Sequence, residues 1–518
     1  MFSRLPSKKV FLASVLVTIF FFSEKVYSQP NRILTLSEIS YEYIKRLQHR
    51  GILLELNPTS LPYKFSDVKE AIDKVDPNKL SGSEIRWFNL IKKRVNSSVS
   101  IRYGEITNET TLSDTKRLNT LEPLRSNFYV YPKANISAGI GDNTFVANAN
   151  LTHSLYYDQD PDGIDSGDRL YIRPEDTYVG YKSKSGFEAF LGRYDHHWAP
   201  YKESSTILSN NARSFDKLSL GYYSQYFSVQ SILGELDNIN SNGVFSGKAL
   251  EEGAQRRYIA AHRIDWKPKK NFRLTYFESI IYSGFNSGIS LKYINPLYVF
   301  GFVSSNNPIN DDANLLIGGA LWWQIKKTTL NIQALLDDIH VEDKDEVTTF
   351  SLFGSVNIAE AIMKSTDIGI EFEAVAYQTY NSPQAEGRYL YLRRGIATQN
   401  TDYVLSKIYS KIYLEEIIPG LEITPSLTYY LQGEQIINQT IVRTNSDGSL
   451  IDIILTGEVE KTLRAGVNIF YSPHPNLWFQ IDTGYNKIDN FMNTSGIANN
   501  RFSTIAKIGF RLGLYTQN

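Results

Sequence analysis

Apolar and polar positions follow two regimes along this chain. One short apolar run, Val10 to Phe22, is followed by a long stretch, from about residue 97 to Leu514, in which apolar and polar side chains alternate. Period two is the signature of strands with one buried and one solvated face. Ile368, Ile370, Phe372, Ala374 and Ala376 alternate with Gly369, Glu371 and Glu373, which places two carboxylates opposite a continuous apolar stripe. Leu421, Ile423, Pro425, Leu427, Tyr429 and Leu431 repeat the pattern, as do Leu463, Ala465, Val467, Ile469 and Tyr471. In the last such segment Ile508, Phe510, Leu512 and Leu514 alternate with Gly509, Arg511 and Gly513, and the chain ends Tyr515-Thr516-Gln517-Asn518, without the terminal aromatic usual in bacterial barrels. No run after Phe22 is long enough to span a bilayer as a helix. The pattern predicts an all-β transmembrane barrel, with the apolar stripes facing lipid and the glutamates facing the lumen. At about 10 residues per tilted strand plus turns and loops, this length allows about 16 to 20 strands, and an even number near 18 is expected.

Residues 35 to 95 carry helical period instead. Leu36, Ile39, Tyr43 and Leu47 fall on one face, Thr35 and Glu38 have capping-box spacing, and Gly51 is a stop signal. A short second helix follows Ser66 with Val68, Ala71, Ile72 and Val75 on its stripe. A third runs from Ser81, with Glu84 three residues on, through Ile85, Phe88, Ile91 and Val95. Three such helices bury their stripes on one another or on the barrel mouth. The expected organisation is a signal peptide at 1–28, a periplasmic three-helix region at 29–96 and a barrel at 97–518.

The N-terminal run has the build of an export signal. Arg4, Lys8 and Lys9 precede the apolar segment, and Val26-Tyr27-Ser28 offers a cleavage site before Gln29. The run is shorter than the roughly 20 residues a membrane helix needs. There is no cysteine, hence neither a disulfide framework nor a site for lipid acylation. The 54 Lys+Arg against 55 Asp+Glu leave no strong field, which argues against a nucleic-acid partner. The 34 Tyr and 27 Phe suit aromatic girdles at the two lipid interfaces. A soluble, aromatic-rich β protein is the competing class.

Two stretches are denser in unusual residues than a barrel wall requires. The first is Gly192-Arg193-Tyr194-Asp195-His196-His197-Trp198-Ala199-Pro200, continuing to Ile207-Leu208-Ser209-Asn210-Asn211-Ala212-Arg213. The second is Ala261-His262-Arg263-Ile264-Asp265-Trp266-Lys267-Pro268, followed by Glu278, Tyr282 and Tyr293-Ile294-Asn295-Pro296-Leu297. Together they resemble the capsule assembly protein Wzi family of Gram-negative outer membranes, as do helices ahead of a large barrel. Ala199-Pro200-Tyr201 departs from the glycine-rich turn expected after the tryptophan. The resemblance implies a non-catalytic, lectin-like barrel, monomeric, embedded in outer-membrane lipid, that holds surface or capsular polysaccharide and requires no cofactor.

The residues are chemically suited to that role. Sugars are bound by aromatic faces and by planar polar groups that reach several hydroxyls at once. The candidate set is Arg193, Trp198, Tyr201, Asn210, Asn211, Arg213, His262, Arg263, Trp266, Glu278 and Asn295. These same residues could instead build the barrel: Arg193 and Arg213 would pair with Glu371 or Glu373 across the lumen, and Trp198 and Trp266 would sit in a girdle. Asp158, Asp160, Asp162, Asp165 and Asp168 form a candidate calcium loop, with aspartates at alternating positions before Gly163. Position twelve of that loop is Arg169 rather than the bidentate glutamate of an EF-hand, and a solvated acidic loop is the alternative. A hydrolase would need His262 to meet Ser209 or Ser279, yet no nucleophile-elbow motif accompanies them. A porin, or diffusion channel for small solutes or oligosaccharides, is the functional alternative and predicts a continuous conducting pore.

Overall fold

The computed structural model describes residues 31–80, 82–97, 102–113, 128–140, 143–153, 170–173, 175–238, 255–284, 288–301, 313–337, 349–439, 441 and 452–515. The expected signal segment and the candidate calcium ligands Asp158, Asp160, Asp162, Asp165 and Asp168 lie outside the described residues. No described helix is long and apolar enough to cross a membrane.

Nineteen strand segments join in one sheet whose pairings are antiparallel. Leu170–Arg173 and Thr177–Lys182 lie end to end against the same neighbour, Asn143–His153, so they are two halves of one stave and the described sheet has eighteen. Arg102–Ser113 pairs on one side with Phe128–Ile140 and on the other with Arg501–Tyr515, joining the first strand to the last. The sheet therefore closes on itself as a barrel, the condition for strands to cross hydrocarbon. Connections are short at one end, as between Lys269 and Phe272 or Ile325 and Thr328. They are long at the other, as between Arg193 and Asp216 or Val375 and Tyr403.

The predicted alternation holds in three dimensions. In the strand Thr366–Val375, Ile370 and Phe372 stay exposed at 51% and 39%, whereas Glu373 is buried in the lumen. Trp266, Phe272 and Trp323 form an edge-to-face chain with centroids 6.4 and 6.0 Å apart on the outer wall at the short-turn end, an aromatic girdle. Trp198, by contrast, is fully buried inside the barrel and belongs to no girdle.

Three helices precede the strands: α1 (Ser40–His49), α2 (Phe65–Asp73) and α3 (Ser83–Ser97). Leu36, Tyr43 and Leu47 join Val68, Ala71, Ile72, Phe88, Ile91 and Val95 in one apolar cluster that includes the barrel residue Tyr413. Every residue of α1 is buried, because it packs within the short-turn mouth rather than over it. Arg50 forks onto Asp367 at 2.6 and 3.0 Å, Arg46 pairs with Glu422, and Arg86 meets Glu415 at 3.1 Å. The expected Thr35–Glu38 cap does not form. Helix α1 starts after Ile39, and Glu38 instead accepts two bonds from Arg94 of α3, because a buried guanidinium needs that carboxylate more than an accessible amide does. Ile85, expected on the stripe of α3, is 41% exposed.

Candidate functional site

The lumen is filled from both ends. Gly192, next to last in the strand Phe187–Arg193, sits at φ 135°, where a Cβ would lie 2.3 Å from the carbonyl oxygen of Thr177, and the chain from Tyr194 to Phe215 then turns inward. Leu61 of the helical region and His197 of this loop exchange backbone bonds at 2.9 and 3.1 Å. Tyr201 stacks on Tyr41 at 5.2 Å, its carbonyl accepts from Lys45 at 2.8 Å, and Lys45 also reaches Glu203 at 2.9 Å. A second loop, Ala376 to Asp402, enters beside the first with a small hairpin of Leu390–Tyr391 and Arg394–Gly395. Ser209 donates to the carbonyls of Ile396 and Ala397, Asn211 to Gly395, and Tyr380 to Thr206. Trp198, Ile207, Leu208, Tyr380, Tyr389 and Ile396 pack with wall residues Phe277 and Ile281 into one apolar core inside the barrel.

Arg263 ties the helical region to the wall. Its side chain is fully buried; it chelates Asp265 and donates to both the carbonyl and hydroxyl of Thr59 at 2.6 Å. Asp265 in turn accepts from Ser228, Thr275 and Asn57 at 2.8, 2.7 and 3.1 Å, so the buried ion pair is fully hydrogen-bonded. The indole of Trp198 lies 5.6 Å from the Arg263 guanidinium.

Strand parity divides the predicted site. Arg263 faces the lumen with Trp198, Tyr201, Asn211 and Arg213, and Asn210 is exposed on the inserted loop. Arg193 forks onto its cross-strand partner Asp216 at 2.5 and 2.8 Å rather than onto Glu371 or Glu373. Lys407 neutralises Glu371 at 2.9 Å, and Glu373 accepts from Ser204 and Tyr403. His262, Glu278 and Trp266 point to the outer wall, and Asn295 lies in a segment that covers that wall, so these four take no part in a lumen site. The parity was readable, since His262 shares a face with Ile264 and Trp266 whereas Arg263 shares one with Asp265. Ser279 points inward, donating to the Ala260 carbonyl and accepting from Tyr389, and the hydroxyl of Ser209 is held by two carbonyls. Neither serine is placed to be activated by His262.

Two cavities stand out among the described residues. One, of about 390 Å³, lies in the long-loop half of the lumen, between Glu371, Lys407, Thr428, Arg464, Asp482 and Arg501. There Arg464 donates to Asp482 at 2.5 Å, Ser503 at 2.7 Å and Asn486 at 3.2 Å. This set presents guanidinium, carboxylate, amide and hydroxyl groups in one recess, the donor and acceptor mixture that sugar hydroxyls match. Its residues come from strands whose polar positions look like ordinary lumen filling in sequence. The other cavity, of about 740 Å³, opens beside α2 at the short-turn mouth, among Lys64, Asp67, Glu188, Tyr223 and Lys267. Among the described residues no cluster of three or more His, Asp or Glu is arranged to hold a metal.

His49 and His197 are buried between the helices and the inserted loop, and His196 is half-buried beside them. Burial, reinforced by Lys45, Lys411 and Arg50, holds His49 well below the ordinary imidazole range. Burial, with Lys217 and Lys64, does the same to His196, and burial pulls His197 down to about 4.

The profile of the capsule assembly protein Wzi family matches residues 101–393. No curated protein sequence matches the chain. Among solved structures, Wzi of Escherichia coli, an outer-membrane protein involved in group 1 capsule assembly and described as a carbohydrate-binding β-barrel, is similar over 92% of this chain and 99% of its own, with a TM-score of 0.64 at 12% identity. OprD of Pseudomonas aeruginosa is similar over 80% of this chain and 95% of its own, with a TM-score of 0.45 at 10% identity.

Proposed function

Because the chain belongs to the capsule assembly protein Wzi family, we propose that it is a non-catalytic outer-membrane protein that binds exported capsular or surface polysaccharide and holds it at the cell surface. The observation that carries this reading is the combination of a lumen blocked by its own loops with a polar recess left on the long-loop side. A diffusion channel gains nothing from an apolar core of Trp198, Tyr380 and Tyr389 across its passage. A binding protein gains a rigid floor under a polar pocket. At about 390 Å³ the recess lies within the roughly 300–1,000 Å³ range of small-molecule sites, enough for a short stretch of a glycan. Arg464 and Asp482 are the planar groups that would engage paired hydroxyls. In this reading the long loops face the exterior and the helical region faces the periplasm.

The deciding experiment separates cell-attached from released polysaccharide in a strain lacking this protein. Normal synthesis with shedding into the medium supports anchoring, and D482N or R464Q in the complementing copy should reproduce the shedding while the barrel still assembles. Unchanged attachment in the deletion strain would remove the proposal.

A further inference from the structure

The outer wall carries a row of polar side chains that a lipid-facing surface should not tolerate. Ser231, His262 and Glu278 are register partners on three consecutive strands, and all three point outward. Their outward neighbours are apolar and open: Phe227 is 50% exposed, Trp266 44% and Leu274 46%. A polar group among such neighbours is costly in hydrocarbon unless it finds a partner. Here each finds one in the backbone of residues 288–301, which leave the barrel at the long-loop end and lie across the outside of the wall. The Ser231 hydroxyl donates to the Ile294 carbonyl at 2.6 Å, His262 Nε2 meets the Tyr293 carbonyl at 3.0 Å, and the Phe300 amide donates to Glu278 Oε2 at 3.0 Å. His262 Nδ1 and Glu278 Oε1 close the row at 3.1 Å. Tyr293 and Phe300 pack inward on Tyr282 and His262, with ring centroids 4.6 and 4.1 Å apart.

The opposite side of this strap is uncovered and largely apolar, with Lys292 the one exposed charged residue among 288–301. Ile289, Leu291, Leu297 and Tyr298 are 64%, 75%, 80% and 49% exposed. We propose that residues 288–301 form a membrane-embedded strap, with its outer side in the acyl chains of the leaflet nearer the long loops, and that the Ser231–His262–Glu278 row is the clasp that holds it on the wall. Lipid is the occupant because the strap's apolar side continues the lipid-facing stripe of the strands it crosses. Once the clasp is closed, the polar atoms of that row are matched by strap backbone or, for His262 Nδ1 and Glu278 Oε1, by each other. This inference rests on the barrel fold and is independent of the glycan reading.

The absence of native cysteine makes the test direct. Single substitutions L291C and L297C in the full chain, both at exposed positions, are labelled with an environment-sensitive fluorophore and the protein is reconstituted in phospholipid vesicles. K74C, on the exposed side of the helical region, serves as the aqueous control. The expected result is blue-shifted emission quenched by acyl-chain-attached nitroxides and not by aqueous iodide at positions 291 and 297, with the reverse at 74. Quenching by iodide at 291 and 297 would overturn the proposal by placing the strap in water. Quenching by neither, with crosslinking between copies, would overturn it by placing a protein there. Adding E278A, or S231A should E278A fail to assemble, should open the clasp and lose the acyl-chain quenching. Retention of quenching in an assembled E278A variant would remove the clasp from the proposal.

Discussion

Arg263 shows how much of this molecule's order depends on a few buried charges. Its guanidinium is the meeting point of wall, helical region and inserted loop, and every hydrogen-bonding group around Asp265 is already engaged. Removing one partner of such a pair leaves the other as an uncompensated buried charge, at a cost of about 3–5 kcal/mol, whereas replacing both with groups of similar shape costs far less. R263M should therefore lower the thermal midpoint of the purified protein in detergent markedly, and R263M/D265N should recover most of the loss. If the double variant were as unstable as the single one, the contribution would lie in the Thr59 contacts and not in the charge pair.

Helices and inserted loops respond to pH through His49, His196 and His197. Each has its folded-state pKa held below the unfolded value near 6.5, so the native state binds fewer protons than the unfolded one. Their contribution is complete above about 6.5 and is lost as pH falls toward the folded values, for His197 a window from 6.5 down to about 4 and on the order of 3 kcal/mol. Glu42, held low by Lys202 and Lys411 against its burial, adds loss in the same direction at lower pH. Amide-exchange protection factors, taken against the intrinsic rate at each pH, should fall in α1 and in residues 194–208 between pH 7 and 5 while those of the strands hold. H49Q and H197Q, which cannot take up the proton, should flatten that response. The strands were legible because lipid and lumen impose period two, as in Ile368 to Ala376, and the helices because their stripes recur every three to four residues. The inserted loops were not. Trp198, Tyr380 and Tyr389 carry the same side chains as a girdle, and only the inward path of the chain, fixed by contacts such as Ser209 to Ile396, makes them a core. His262 is hard to place from sequence for a different reason: a histidine on a lipid-facing stripe becomes reasonable only once the strap that covers it is seen.

For the whole barrel, the helical region and the inserted loops form separate apolar clusters, joined by contacts such as Leu61 with His197 and Tyr41 with Tyr201, so each closes its own level of the lumen. The cluster of α1, α2 and α3 sits at the short-turn mouth, whereas that of Trp198, Ile207, Tyr380 and Tyr389 lies farther in, against Phe277 and Ile281. Loss of the helices would expose Asp367, Glu422 and Glu203 to water, which solvates them, and would leave the inner cluster's own wall contacts in place. Planar-bilayer recordings should therefore show little conductance for the full chain and little more for a variant lacking residues 31–97. Replacing residues 197–208 with a short Gly–Ser turn in that helix-deleted background should open a large, stable pore. Strong conductance from the full chain would return the porin reading, since a fixed core across the lumen and a standing ion current cannot both hold. Strong conductance from the helix-deleted chain alone would mean that the inner cluster needs Thr59 and Leu61 beneath it, making the two closures one unit.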